Sequence, residues 1–204
     1  MPRGRGAVRG ARRPEDLLAG ADVSPPLHGR RDEVAGVSTF AVEGGTSAGS
    51  RAPVVVVHGL ALSSRYLRPT LARLGAMRRV FAPDLPGVGR SQDAKEPATM
   101  ADLADGLAQW MRQVGLHRAD VVGHSLGCHV VGELAVRHPG LVRRVVLASP
   151  SRDPAHPAVW QSAWRLAVDA PRERLGILPL AVVDYVRAGP ITMLKVLASA
   201  RRTP

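Results

Sequence analysis

A serine with glycine two residues away on either side, Gly123-His124-Ser125-Leu126-Gly127, constrains this chain more than any other stretch. It follows the apolar run Ala119–Val122 and opens a segment, Cys128–Arg137, that reads as a helix. In a strand, tight turn and helix, the pattern G-x-S-x-G strains the serine backbone and exposes its hydroxyl at the end of a sheet. Glycine is required at both flanks because a Cβ there would collide with the neighbouring strand or helix. The pattern points to attack on a carbonyl carbon through Ser125, which then needs a base.

The surrounding sequence alternates strands with helices. Val37–Val42 alternates loosely and ends at Gly44-Gly45, while Pro53–Val57 is a continuous β-branched run of the kind buried on both faces of a parallel sheet. Tyr66–Leu74 reads as a short helix with Leu67, Leu71 and Leu74 on one side, and Arg79–Ala82 as a strand stopped by Pro83. Thr99 and Asp102 stand at capping-box spacing. Leu103, Leu107, Trp110, Met111 and Val114 then form one apolar stripe, ended by Gly115. Val142–Leu147 is a further strand, and after Pro150 the pattern turns wholly helical. Such alternation predicts right-handed crossovers, an α/β fold and a mostly parallel sheet flanked by helices. Residues 1–35, rich in Arg, Gly and Pro, are expected to form a disordered basic arm. Residues 36–150 would be the core and residues 151–204 a partial helical cap.

Composition narrows the function classes. The chain has 204 residues, enough for one domain with a substantial core. No apolar run approaches the roughly 20 residues that span a bilayer. The N-terminus lacks the apolar segment of a secretory signal, and the single Cys128 permits no internal disulfide, so the cytoplasm is the expected compartment. The formal charge is +11, and all but two of the 28 basic residues are arginine. Arg3, Arg5, Arg9, Arg12 and Arg13 form an acid-free arm that could meet phosphates, but no aromatic residue precedes Phe40. Nucleic acid is therefore not the expected partner. No metal-ligand spacing occurs among the histidines, and no cofactor is expected.

Three motifs in one order resemble the α/β-hydrolase family over about residues 37–150. His58-Gly59 follows the Val54–Val57 strand, Asp84-Leu85-Pro86-Gly87-Val88-Gly89-Arg90-Ser91 follows the next strand, and the Ser125 turn comes third. The resemblance implies a serine nucleophile and an oxyanion hole made by the backbone N–H groups of Leu60 and Leu126. It also implies that His58 braces the loop, with Gly59 allowing close approach of substrate. Gly123, His124 and Gly127 support the turn. His124 adjoins Ser125, so its side chain should point away from the nucleophile's, and it is rejected as the base. Cys128 reads as a small buried side chain and Asp84 as the shaper of its own turn.

In this family the partners follow in the order Ser, acid, His. Asp153, shortly after the Val142–Leu147 strand, is the candidate acid, and His156 follows in a Pro-flanked loop without an assigned role. No seventh or eighth strand is read before Pro204, so the expectation is a family member cut within its cap. Two functions stay open. One is hydrolysis of a small ester or related carbonyl substrate through Ser125; the other is a catalytically inactive truncated fold or binding module. The partner expected is a small molecule, and the oligomeric state is left open. Residues 1–204 expressed alone are expected to be poorly soluble and inactive. Soluble monomer with esterase activity abolished by Ser125→Ala would overturn this.

Overall fold

A computed structural model describes residues 26–47, 51–59, 62–93 and 98–150. Its strands are β1 (His28–Val34), β2 (Val37–Gly44), β3 (Val54–Val57), β4 (Val80–Pro83), β5 (Ala119–His124) and β6 (Val142–Ala148). Three helices join them: α1 (Ser64–Gly75), α2 (Met100–Gln113) and α3 (Gly127–Arg137). The strands form one mixed sheet in the order β1-β2-β4-β3-β5-β6. β3 pairs in parallel with β4 and β5, and β5 with β6, while β2 runs antiparallel to both β1 and β4.

The valine run of β3 is the centre. Its side chains alternate between faces. Val55 and Val57 join Phe81, Val121 and the apolar stripe of α2 and α3. Val54 and Val56 pack with Val80, Ala82, Leu67 and Leu71 under α1 on the other side. All four valines are buried, so no polar residue could replace one without stranding its polar atoms. α2 starts with the capping box read from its sequence: the Asp102 N–H donates to Thr99 Oγ1, and the Thr99 N–H donates to Asp102 Oδ2.

One boundary needs correction. Residues 28–34, assigned to the unstructured arm, form β1. The strand is polar because it lies at the sheet edge, and its charges are met by neighbours. Arg30 binds Asp32 through two hydrogen bonds and also reaches Glu43, while the Trp110 indole N–H donates to Asp32 at 3.0 Å. These bonds stitch β1 to β2 and to α2. The core thus begins by residue 28 rather than 36. The basic residues Arg3–Arg13 and the helices expected after Pro150 lie outside the described residues. Among the described residues no helix is long and apolar enough to cross a membrane.

β6 is the edge of the described sheet, and Val145, Val146 and Leu147 are 40%, 52% and 52% exposed. Its start is bulged: Ala119 pairs with Val142 but Asp120 with Arg144, leaving Arg143 as the extra residue. The Arg143 guanidinium turns onto Asp120, which also receives Arg78.

α2 and α3 are joined by Asp105, which accepts from Arg137 at 3.0 and 2.6 Å and from His138 at 2.7 Å. Arg137 first, and His138 second, hold the Asp105 carboxyl down at about 2. In the unfolded chain that group titrates near ~3.9, so its stabilisation is complete above about pH 4 and lost as pH falls towards 2. The Arg137 and Asp105 side chains are 42% and 35% exposed, so solvent screening keeps the contribution small. Urea midpoints should show Asp105→Asn less stable than wild type at pH 7, with the gap narrowing from pH 4 downwards.

Candidate active site

The β5–α3 turn carries Ser125 at φ +53°, in the left-handed region that a residue with a Cβ adopts only under constraint. The constraint is visible on both sides. A Cβ at Gly123 would sit 2.6 Å from the Gly127 carbonyl oxygen and 2.7 Å from Cys128 Cα. One at Gly127 would sit 2.5 Å from the Val57 carbonyl oxygen and 2.6 Å from that of His58. Both glycines are therefore required by backbone proximity. The Ser125 N–H donates to the Ala148 carbonyl at 2.9 Å, and its own carbonyl accepts from Cys128 at 3.0 Å, starting α3. Among the described residues no acceptor meets the Leu126 N–H, which lies at the positive end of that helix.

Strand register brings the other two motifs to this turn. Val57 pairs with Gly123, so Gly59 and Ser125 both lie two residues beyond the same rung. A Cβ built on Gly59 would be 3.1 Å from Ser125 Cβ, which makes the loop and the turn immediate neighbours. β3 pairs with β4 through Val55 and Phe81, which places His58 beside Asp84. His58 is 1% exposed. The Leu85 N–H donates to its Nε2 at 2.9 Å, so Nε2 carries no proton and Nδ1–H donates to the Gly59 carbonyl at 2.8 Å. That carbonyl also accepts the Leu62 N–H at 3.4 Å.

The turn after β4 is organised by Asp84. Its Oδ1 accepts the Ser64 N–H at 2.6 Å, at the start of α1, and its Oδ2 accepts the Arg90 N–H at 3.0 Å. Ser91 closes the turn by donating to the Asp84 carbonyl at 2.7 Å and accepting the Phe40 N–H at 2.8 Å. The carboxylate is thus committed to backbone donors and offers nothing to a base.

His124 turns its ring away from the sheet towards α1, where its Nδ1 lies 2.8 Å from the Tyr66 hydroxyl. The same hydroxyl accepts the Gly59 N–H at 3.2 Å. Burial pushes the Tyr66 hydroxyl up to about 12. Tyr66 was read from the sequence only as part of a helix, because nothing in the spacing of its neighbours marks a polar contact. Cys128 is buried, and burial raises its thiol above the ordinary value. Its Sγ points at the Gly123 and Ala148 carbonyls at 3.2 and 3.4 Å, behind the turn.

The fold thus gathers Ser125, Leu126, His58, Gly59, Gly123, His124 and Gly127 at one end of the sheet. Leu60 and Asp153 lie outside the described residues. A cavity of about 460 Å³ opens elsewhere, between α2, the β1–β2 turn and Leu85; no residue of the Ser125 turn lines it. Among the described residues no three side chains are grouped to hold a metal ion.

Comparison with known proteins gives the same architecture. A family profile for the alpha/beta hydrolase fold matches residues 52–175. The Yersinia enterocolitica protein RutD, named provisionally as a carbamate hydrolase, is 37% identical over 139 residues, covering 68% of this chain and 47% of RutD. The Caenorhabditis elegans abhydrolase domain-containing protein abhd-5.2 is 32% identical over 102 residues, covering 48% of this chain and 23% of its own. This chain thus spans less than half the length of either relative. The crystal structure of Cfl2 from Burkholderia cenocepacia superimposes with a TM-score of 0.68 at 22% identity, over 87% of this chain and 71% of that one. That likeness is one of fold. With the profile matching more than half of the chain, and with the sheet order and Ser125 turn described above, the chain belongs to the alpha/beta hydrolase fold family.

Proposed function

We propose that this chain carries the nucleophile-bearing part of a serine hydrolase acting on a small ester or related carbonyl compound. The observation that carries the reading is the Ser125 backbone at φ +53° between two glycines that can accept no Cβ. A strained, half-exposed serine at the head of a helix has no packing role that explains it. The related RutD bears a hydrolase name, which agrees with the reaction class.

In this reading Ser125 Oγ attacks the carbonyl carbon while a base takes its proton. The carbonyl π pair moves onto oxygen, giving a tetrahedral oxyanion. Its collapse expels the leaving alcohol, which takes a proton, and water then hydrolyses the acyl-serine by the same route. The Leu126 N–H is one oxyanion donor, unspent and at a helix N-terminus. The Leu60 N–H is proposed as the second. His58 uses both ring nitrogens in its bonds to Leu85 and Gly59 and cannot be the base. His124 Nδ1 is held by Tyr66, and the family order places the base late in the protein. Asp153 remains the proposed acid.

The test is covalent labelling of the full-length gene product with a fluorophosphonate, which reacts quickly only with an activated serine. Labelling should localise to Ser125, vanish in Ser125→Ala and be absent from heat-denatured protein. Folded protein that stays unlabelled would favour the inactive fold. Gly127→Ala should abolish labelling as well, because its Cβ meets two backbone carbonyls. Its stability loss should lie at the upper end of the ~1–3 kcal/mol typical of overpacking, measured by urea unfolding.

A further inference from the structure

We infer that Tyr66 is a positioning residue of the serine site, whose single hydroxyl ties the Gly59 loop to the Ser125 turn through His124. The inference rests on the proposed serine chemistry and adds a residue that none of the three motifs contains. Strand pairing between β3 and β5 ends at Val57 and Gly123. The loop and the turn continue beyond that rung, where Gly59 lies against Ser125 with no strand pairing to hold the two together. Tyr66 Oη lies within 3.2 Å of the Gly59 nitrogen and 2.8 Å of His124 Nδ1.

A backbone N–H can only donate, so the Tyr66 oxygen accepts from Gly59. The contact with His124 Nδ1 is a second hydrogen bond at the same oxygen, made by the hydroxyl proton or by the imidazole N–H according to the tautomer. The bridge is anchored from outside both motifs, because Tyr66 stands on α1 beside Leu67 and Leu71, which pack on the sheet. The rings of Tyr66 and His124 also meet, with centroids 5.6 Å apart. Gly59 is buried, so its N–H has no water to turn to when the hydroxyl is removed. The buried donor would be left unsatisfied, and the loop would shift against the serine turn to relieve it. Burial keeps the hydroxyl protonated across the working range of a hydrolase, so it stays a neutral partner to both nitrogens.

Tyr66→Phe keeps the ring and deletes the bridge. In the full-length protein it should slow fluorophosphonate labelling of Ser125 by about tenfold to a hundredfold, the scale expected from displacing a reacting group by roughly 1 Å. With p-nitrophenyl acetate the fall should appear in kcat with KM little changed, which a general loss of folded protein would not produce at matched folded concentration. His124→Leu cuts the bridge from its other end. The double variant should be no slower than the slower single one, because both remove the same link. Multiplying effects in the double variant, or a Tyr66→Phe rate equal to wild type, would overturn the inference while leaving Ser125 as the nucleophile. If wild type itself is unlabelled, the serine reading fails and this one falls with it. Should Tyr66→Phe not fold, His124→Leu alone decides by the same labelling rate. Failure of both to fold would overturn the inference, since the bridge would then serve stability instead of position.

Discussion

The rung that pairs Val57 with Gly123 governs the rest of the molecule. Two residues beyond it on one strand lies Gly59, and two beyond it on the other lies Ser125. A slip of one residue would turn every side chain of β3 to the opposite face, exchanging the layer under α1 with the layer under α2 and α3. That slip is resisted because the two faces make different contacts: Val55 and Val57 meet Phe81 and the α2 stripe, and Val54 and Val56 meet Leu67 and Leu71. Register therefore converts core packing into the spacing of a site. The chemistry proposed for Ser125 thus depends on four buried valines as well as on the turn itself.

The strain at Ser125 has to be held against relaxation. A left-handed conformation in a residue with a Cβ costs on the order of 1–2 kcal/mol. Three restraints oppose its release: the N–H bond to Ala148, the carbonyl bond from Cys128, and the close backbone contact at Gly127. The last is the strictest, because it presses the head of α3 against the end of β3. His58 then fastens β3 to the Asp84 turn, and Asp84 fastens that turn to the start of α1. α1 in turn presents Tyr66 back to Gly59. The chain of bonds is closed: serine turn, β3 loop, Asp84 turn, α1 and the serine turn again.

Much of this was legible in the sequence, for reasons that differ by element. β3 announced itself because a strand buried on both faces must be apolar without interruption, and α2 because Thr99 and Asp102 cap it and its stripe is unbroken. The three motifs were legible because each contains residues that backbone geometry requires. β1 was not. His-Gly-Arg-Arg-Asp-Glu-Val carries one apolar residue, Val34, and its partners lie in Glu43 and Trp110, which no local pattern connects to it. Its turn, Ala35-Gly36, takes positive φ at both residues, the twist a two-residue hairpin prefers, without the Asn or Asp that would have signalled it. Tyr66 escaped for a related reason: its partners, Gly59 and His124, are brought to it by the sheet register and not by spacing along α1.

β6 is where site and stability meet. It supplies the Ala148 carbonyl that receives both the Ser125 N–H and the Cys128 thiol. Yet β6 is the edge of the described sheet, with Val145, Val146 and Leu147 open to solvent. One side of it pairs with β5 along its length, and Arg143 turns out of the ladder onto Asp120 at the opposite end of the strand. A strand paired along only one side frays more readily than one paired on both. Fraying at Ala148 would release the Ser125 amide first, because that bond has no second acceptor among the described residues. The Ala148 carbonyl is the acceptor against which the serine turn is strained, so the precision of the proposed nucleophile is coupled to the order of a strand that contributes no residue to the chemistry.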